Sequence, residues 1–366
     1  MSVRLRPADG PLADVAGEWR RLYSADESAT PFSSPEWALA WERHLGDGAR
    51  PLVLVAESGA DIVGLIPLVR RRRGPFRTLE MLGEGPADYW DVLAEPAAAD
   101  AVRQAFARWL DRNAGRWDAL IVKGVVAGSA TDHAIQAAGL RFGNRPPIIA
   151  PRLRLEGTFE DWLCRLPADR RSNVRRRGRR LAEAGGTIET LAATDDLPSA
   201  VERWQELRRR QWADRDAQMT PLHATGRFRA FMIDLVTALV PTGEVVFWEV
   251  RIGGDVVGSY INLADRRAFY GYLGGYDPSV SRLGIGTVVT AHGIAESIEA
   301  GRRHFDFLIG QERYKYWFEP DDEQGVWFTA AGTPRLRSRL ALRAVDGFVA
   351  ARAAAEHARA WRAGRG

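Results

Sequence analysis

Two glycines one residue apart mark the stretch Ser281-Arg282-Leu283-Gly284-Ile285-Gly286-Thr287, which joins a strand-like run to a helix-like run. Glycines at such a junction let backbone N–H groups approach a ligand, and a helix N-terminus carries partial positive charge. Arg282 adds a full one. Arg282, Leu283, Gly284, Ile285, Gly286 and Thr287 therefore suit a pyrophosphate cradle. They equally suit a tight turn that needs positive φ, and the residues alone leave both readings open. Arg175, Arg176, Arg179 and Arg180 share one side of a helix. That side is a solvated face, a contact for phosphates or an anionic acceptor, or an RNA surface, although no aromatic residues interleave the charges. Asp88-Tyr89-Trp90-Asp91 lies in a Gly/Pro loop, where aromatics with carboxylates suit a sugar or amino group, or pin the loop by burial. Tyr270 and Tyr272 fall on one strand face by alternation and either line an acceptor groove or pack in the core. His292 reads as packed.

The elements that would position these groups are written twice. Gly59-Ala60-Asp61-Ile62-Val63-Gly64 and Gly253-Gly254-Asp255-Val256-Val257-Gly258 share the pattern G-x-D-x-V-G, each between two apolar strand-like runs. Asp61 and Asp255 read as turn residues. After each hairpin come a third strand (Phe76–Leu82; Ala268–Tyr276), a loop, a helix (from Pro96 to Asn113; through Val288–Glu299) and a strand (Trp117–Val122; His304–Ile309). This order predicts an α/β fold: an antiparallel meander, then a crossover helix returning a parallel strand. Helical lead-ins are expected at Leu12–Tyr23 and Pro35–Leu45, with Ser34 as N-cap, and at Leu197–Trp212 and Thr225–Leu239. Thr158–Ala184 reads as a basic helical connector and Pro334–Arg362 as a C-terminal helix. In place of Gly284 and Gly286 the first copy has Glu95, Pro96 and Ala97, and its acids at the helix start would repel phosphate.

Composition bounds the rest. The 366 residues are 46% apolar and suffice for two domains with their own cores. The formal charge of +4 comes almost wholly from arginine, since Lys123 and Lys315 are the only lysines, and so argues weakly for nucleic acid. One cysteine excludes an internal disulfide and a multi-cysteine metal site. Cys164, among Trp162, Leu163 and Leu166, reads as a packed thiol. The first ten residues lack an apolar core, and no run approaches the roughly 20 residues of a membrane span. A soluble cytoplasmic protein is expected.

The layout and the R-x-G-x-G junction resemble the GNAT superfamily of acyl-CoA N-acyltransferases, although Arg282 lies one residue nearer Gly284 than that superfamily's motif has it. Asn173-Val174-Arg175-Arg176 with Arg179, Arg180, Leu181 and Gly185 is similar to the N-x-R-R-x-x-R-R-L…G segment of the CelD-like acetyltransferases of polysaccharide biosynthesis. Asp306-Phe307-Leu308-Ile309-Gly310-Gln311-Glu312-Arg313-Tyr314-Lys315 resembles that group's D-F-x-x-G-x-E-x-Y-K, and Pro31–Trp37 and Gly64–Leu68 follow its habits. The group is in turn similar to the Fem-type aminoacyltransferases, which carry tandem GNAT domains and use aminoacyl-tRNA.

The resemblance implies two tandem GNAT-like domains, each a mixed, mostly antiparallel sheet flanked by helices. The expected segments are a degenerate N-terminal domain over 1–157, the connector over 158–185, a catalytic domain over 186–333 and the helix over 334–366. It implies acetyl-CoA or another acyl-CoA as co-substrate, no metal, and backbone contacts from Leu273 and Gly274 to the thioester. Glu312 is expected as base or substrate anchor, Tyr314 as acid, Lys315 as substrate or phosphate contact, and Asp306 as an orienting group. Glu312 and Lys315 could equally form an i,i+3 ion pair. Substrate contacts are expected from Asp88, Tyr89, Trp90, Tyr270, Tyr272, Arg175 and Arg176. The expected reaction is direct N- or O-acyl transfer to a sugar, polysaccharide precursor or related amine, with homo-oligomerisation left open. The rivals are aminoacyl transfer from tRNA and a non-catalytic sugar-binding partner of a synthase.

Overall fold

The computed structural model describes residues 2–8, 10–143, 146–213 and 221–345. The chain forms two compact units, residues 1–148 with 325–366 and residues 149–324.

The first unit contains β1 (Arg4–Pro7), α1 (Leu12–Ala25), α2 (Pro35–His44), β2 (Arg50–Ser58), β3 (Asp61–Arg73), β4 (Phe76–Met81), β5 (Leu93–Ala94), α3 (Ala99–Arg112), β6 (Ala119–Val126), α4 (Ala130–Ala137) and β7 (Arg141–Phe142). Its strands run β1-β2-β3-β4-β6 and end on the last strand of the chain, β14 (Asp322–Gly332). Only β4 and β6 pair in parallel, through the α3 crossover; the other pairs are antiparallel. Ser34 caps α2 by accepting the Trp37 N–H at 3.2 Å.

The second unit contains β8 (Ile148–Arg154), α5 (Phe159–Arg165), α6 (Ala168–Glu183), β9 (Gly186–Thr190), α7 (Leu197–Ala213), α8 (Gly226–Leu239), β10 (Val245–Ile252), β11 (Asp255–Ala264), β12 (Ala268–Tyr276), α9 (Ile285–Glu299), β13 (His304–Asp306) and α10 (Arg313–Tyr316). Its strand order is β8-β13-β12-β11-β10-β9, and again a single pair, β12 with β13, is parallel.

The repeat is exact down to an irregularity. Ser58 faces Asp61 across Gly59-Ala60, and Ile252 faces Asp255 across Gly253-Gly254. One residue is then extra on the return strand, Val63 in one hairpin and Val257 in the other, so the register slips at the same place. The final glycine follows each bulge. A Cβ at Gly64 would lie 2.9 Å from the Leu93 carbonyl oxygen, and one at Gly258 would lie 3.3 Å from Val250 Cβ. The hexapeptide is thus a turn, a bulge and a close backbone approach in sequence.

Each unit has its own core. In the first, Val102, Phe106 and Leu110 of α3 pack on Leu54, Ile66, Leu68, Leu120 and Val122 of the sheet. In the second, Ile285, Val289 and Ile294 of α9 pack on Trp248, Phe269 and Phe305. Trp248, Phe269 and Phe305 stack in series with ring centroids 5.2 and 5.6 Å apart.

The units do not coincide with the expected segments. Residues 149–157, expected in the N-terminal domain, belong to the second unit because β8 pairs with β13, Arg154 facing His304. The connector 158–185 is part of that unit as well, since Val174 and Leu181 of α6 lie in its core. Conversely, residues 325–333 belong to the first unit, where β14 pairs with β6. Cys164 is exposed, not packed, because its neighbours Trp162, Leu163 and Leu166 fill the buried side of that turn. Of the expected C-terminal helix, residues 336–345 are helical and 346–366 lie outside the described residues. Of the apolar positions expected along it, Leu342 and Val345 pack with Ala341 against Ala119, Ile121 and Ala330, whereas Leu336 and Leu340 are 73% and 48% exposed.

That helix is fastened at its start by Asp118. Its buried carboxylate takes bonds from Arg77 Nη2 and Arg337 Nε, each at 3.0 Å, and Ser338 Oγ donates to the Asp118 carbonyl at 2.6 Å. Burial alone would raise the Asp118 carboxyl, but the bonds from Arg77 and Arg337 outweigh it and hold the group at about 2, below its ordinary 3.8. A depressed carboxylate stabilises the fold above its unfolded value and loses that contribution as pH falls toward the folded one. The melting temperature of wild type should therefore exceed that of Asp118→Asn at neutral pH, and the gap should close between about pH 4 and pH 2. A gap independent of pH in calorimetry would contradict this account.

Candidate active site

β12 and β13 pair over three residues only, Ala268–Tyr270 with His304–Asp306. β12 continues to Tyr276, while the chain leaving β13 turns away, so the edge of β12 beyond Tyr270 has no strand partner on that side, and this splay is the candidate cleft. At its far end the edge is met by α7. Arg208 Nη1 donates to the Gly274 carbonyl at 2.6 Å, and the Tyr276 N–H donates to Gln211 Oε1 at 3.3 Å. Both groups therefore point away from β11. By alternation the Gly274 N–H points into the cleft too, while Leu273 directs its N–H toward β11. Of the two expected backbone contacts, only Gly274 presents an amide to the cleft. Tyr270 lines no groove: it is 3% exposed and its hydroxyl donates to Asp265 Oδ2 at 2.7 Å. Burial, reinforced by the Asp265 charge, raises its pKa well above the ordinary tyrosine value. Tyr272 is half-buried.

The turn out of β13 is made by the motif residues. Leu308 has φ 59°, a left-handed conformation that costs a non-glycine residue about 1–3 kcal/mol. Two motif side chains hold it there. Asp306, 2% exposed, accepts the Leu308 N–H at 2.7 Å, and Lys315, 3% exposed, donates to the Leu308 and Ile309 carbonyls at 3.1 and 2.7 Å. Lys315 also pairs with Glu312 at 3.0 Å, so its three donors are all engaged. Gly310 follows with φ 114°; a Cβ there would lie 2.5 Å from Glu312 Oε2. The ion-pair reading of Glu312 and Lys315 is what the structure shows. Lys315 and Asp306 build the turn and contact no open space with their charged ends, whereas Glu312 and Tyr314 are exposed. Tyr314 and Tyr272 are both electrostatic neighbours of Arg208.

The junction before α9 has the geometry of an anion cradle. A 3-10 turn over Pro278–Leu283 ends at Gly284, whose φ of 68° is left-handed. Gly284 also begins α9, where its carbonyl takes the Thr287 and Val288 N–H groups. The Ile285 and Gly286 N–H groups have no acceptor among the described residues. Arg282 is exposed, Leu283 and Thr287 are half-buried, and the Ile285 side chain anchors the turn in the core. The arginine that reaches the cradle is one the sequence did not single out. Arg177 lies over Gly284, where a Cβ would come within 2.6 Å of its Cδ, and it donates to Thr287 Oγ1. Arg175 instead pairs with Glu160, and Arg176 is exposed. In the first unit the matching junction is closed by a salt bridge from Arg21 to Glu95 at 2.6 Å.

His292 stacks edge-on against Trp248, centroids 5.0 Å apart, and lies 3.2 Å from Glu296, a packed residue as expected. In the first unit Tyr89 and Trp90 are 4% and 6% exposed. Trp90 Nε1 donates to the Pro67 carbonyl at 3.0 Å and Tyr89 meets Phe32 edge-on, so these rings pin the loop. Asp88 is half-buried beside them. Two other polar groups of the second unit escaped the sequence reading. Arg208 was hidden in an arginine-rich helix, and His223 lies outside every motif; His223 Nδ1 is buried with no partner among the described residues. Burial first, and then the Arg208 charge, lowers the His223 pKa to about 3.

The wiring of the 306–315 turn predicts a stability effect. Lys315→Met should lower stability by about 2–3 kcal/mol, because two carbonyls lose a charged donor and Leu308 loses its clamp. Glu312→Gln should cost under about 1 kcal/mol, since its half of the pair is exposed. Guanidinium unfolding followed by tryptophan fluorescence separates the two; equal losses would contradict the clamp.

Residues 168–316 match the family described as Acetyltransferase (GNAT) domain. No curated protein matches the chain. Among solved structures the chain is similar to FemX, with a TM-score of 0.62 at 11% identity, over 89% of this chain and 96% of that one. It is similar also to the C-terminal domain described as that of a lysylphosphatidylglycerol synthetase from Agrobacterium fabrum, with a TM-score of 0.59 at 12% identity over 91% and 96%. A third likeness is to L-PGS from Bacillus licheniformis, with a TM-score of 0.52 at 11% identity over 87% and 98%. At these identities the structures speak for the fold, and the family match for the chemistry: the chain carries a GNAT acetyltransferase domain over residues 168–316 and is an acyltransferase enzyme of that type.

Proposed function

We propose that the unit 149–324 transfers an acyl group from acyl-CoA, acetyl-CoA foremost, to an amine or hydroxyl of a small-molecule or saccharide acceptor. The supporting observation is the pair of amides at Ile285 and Gly286 that have no acceptor among the described residues, at the positive end of α9 and beside Arg177 and Arg282. That set fits a diphosphate. A bound acyl-CoA supplies an activated thioester. Gly284, Ile285, Gly286, Thr287, Arg177 and Arg282 would hold its diphosphate, and the Gly274 amide would polarise the carbonyl. In the transfer itself the acceptor nitrogen or oxygen forms a bond to the carbonyl carbon, the carbon–sulfur bond breaks, and the acceptor's proton leaves as the thiolate gains one. Tyr314, exposed near Arg208 and the edge of β12, is the group we assign to proton delivery, with Glu312 as a base or substrate anchor. Asp306 and Lys315 position these two by fixing the turn. The first unit, with Glu95 at its matching junction, is read as a degenerate domain and scaffold. Transfer from aminoacyl-tRNA, with the arginines of α6 receiving the nucleic acid, is the rival reading.

Gly286 tests the cradle better than Gly284. A Cβ at Gly286 meets nothing within 4 Å, whereas one at Gly284 is strained by its φ and strikes Arg177. An acid in the first turn favours a bare helix by about 0.3–1 kcal/mol, so Gly286→Asp should melt no lower than wild type. Acetyl-CoA should raise the melting temperature of wild type and leave the variant unmoved. A variant that acetyl-CoA stabilises as well as wild type would remove the cradle from the reading. Stabilisation of wild type by aminoacyl-tRNA and not by acetyl-CoA would favour the rival donor.

A further inference from the structure

Among the described residues Arg208 has no counter-ion. It lies mostly buried between α7 and β12, its guanidinium carbon 6.0 Å from the Trp204 ring centroid and 5.7 Å from that of Trp212. The bond from Nη1 to the Gly274 carbonyl is the one hydrogen bond it makes among the described residues. No carboxylate pairs with it there, although nearly every other arginine near an acid on α7 has one: Arg203 with Glu249, Arg209 and Arg210 with Glu206. Among the described residues its Nε is buried with no partner, and so is Nδ1 of His223, the imidazole on which its charge acts. Helix α7 comes so close to β12 that a Cβ at Gly275 would lie 2.7 Å from the Arg208 backbone nitrogen. The bond to the Gly274 carbonyl then places the guanidinium at the edge of β12, with Tyr272 and Tyr314 as electrostatic neighbours.

We infer that Arg208 is an acceptor-binding residue, and that the acceptor carries a carboxylate received by the Nε edge of its guanidinium. The inference rests on the acyl-transfer reading for the word acceptor, but the binding itself does not depend on the donor. A guanidinium held by one Nη keeps its Nε/Nη2 edge for a two-pronged contact with a carboxylate, which an ammonium cannot reproduce. Burying that edge empty is unfavourable, and filling it with a ligand anion satisfies it. A site built around such a group rejects an isostere that lacks the partner, because the site's own buried polar group is then left unpaired. The acceptor is therefore an acid that also carries the reacting amine or hydroxyl, such as an amino acid or an amino-sugar acid, and not a neutral amino sugar.

Two matched pairs of probes test this on the full chain without any donor: muramic acid against glucosamine, and phenylalanine against 2-phenylethylamine. In titration calorimetry the carboxylate member of one pair should bind about 100-fold tighter than its neutral partner, and the pair that shows the preference identifies the source as sugar acid or amino acid. Arg208→Lys, checked for folding by circular dichroism, should reduce the preference to within about 10-fold, because it keeps the charge and loses the fork. Equal binding within both pairs overturns the inference, as does failure of both acids to bind up to about 10 mM. A preference that Arg208→Lys leaves intact also overturns it. Failure of acetyl-CoA to bind would count against the donor reading alone.

Discussion

The cleft depends on one held residue. Leu308 occupies left-handed backbone space without being a glycine, and it stays there because Asp306 takes its N–H while Lys315 takes its carbonyl. The turn at Leu308 ends β13 at Asp306 and leaves the edge of β12 beyond Tyr270 without a strand partner on that side. Both clamping side chains are buried, so water does not compete for their bonds and the low local dielectric strengthens them. Gly310 then completes the reversal at φ 114°. The acid, the cation and the glycine of the D-F-x-x-G-x-E-x-Y-K element thus shape the site before any of them touches a ligand.

The two repeats show how one scaffold supports an open site in one unit and a closed one in the other. Both hairpins have a two-residue turn, a bulge at Val63 or Val257, and a glycine where backbone or side chains crowd in. Both return a parallel strand through a crossover helix. They diverge at the helix start. Gly284 leaves two amides without acceptors; at the matching place Glu95 accepts a hydrogen bond from Arg21, and the Ala98 N–H is already bonded to the Glu95 carbonyl.

Much of this was legible in the sequence because it is local. Two-residue turns, the Ser34 cap, the amphipathic crossover helices and the order of strands follow from period, propensity and turn chemistry within windows of ten or so residues. What stayed hidden depends on partners far away in the chain. β8 was invisible because its place is set by pairing with β13, some 150 residues later, and the short β13 offers little pattern of its own. Spacing alone could not tell that Lys315 points inward to carbonyls while Glu312, three residues before it, stays at the surface. The rings of Tyr89, Trp90 and Tyr270 have the same composition in a core as in a sugar groove; only burial distinguishes the two. Arg177 sits within a run of three arginines, and only the packing of α6 on α9 selects it over Arg175 and Arg176.

Arg177 and Arg208 show why arginine-rich sequences conceal their sites. In this chain arginine covers nearly every surface role, so its presence carries little information, and what distinguishes a functional copy is the partner it lacks. Arg175 answers Glu160, Arg203 answers Glu249 and Arg21 answers Glu95. Arg177 finds only a hydroxyl, and Arg208 only a backbone carbonyl, among the described residues. Each lies against a glycine: a Cβ at Gly284 would strike the Arg177 side chain, and one at Gly275 would strike the backbone of α7 at Arg208. A glycine that admits an unpaired arginine is a pattern of two distant residues. It becomes readable only once the helix that bears the arginine has been laid against the strand or turn that bears the glycine.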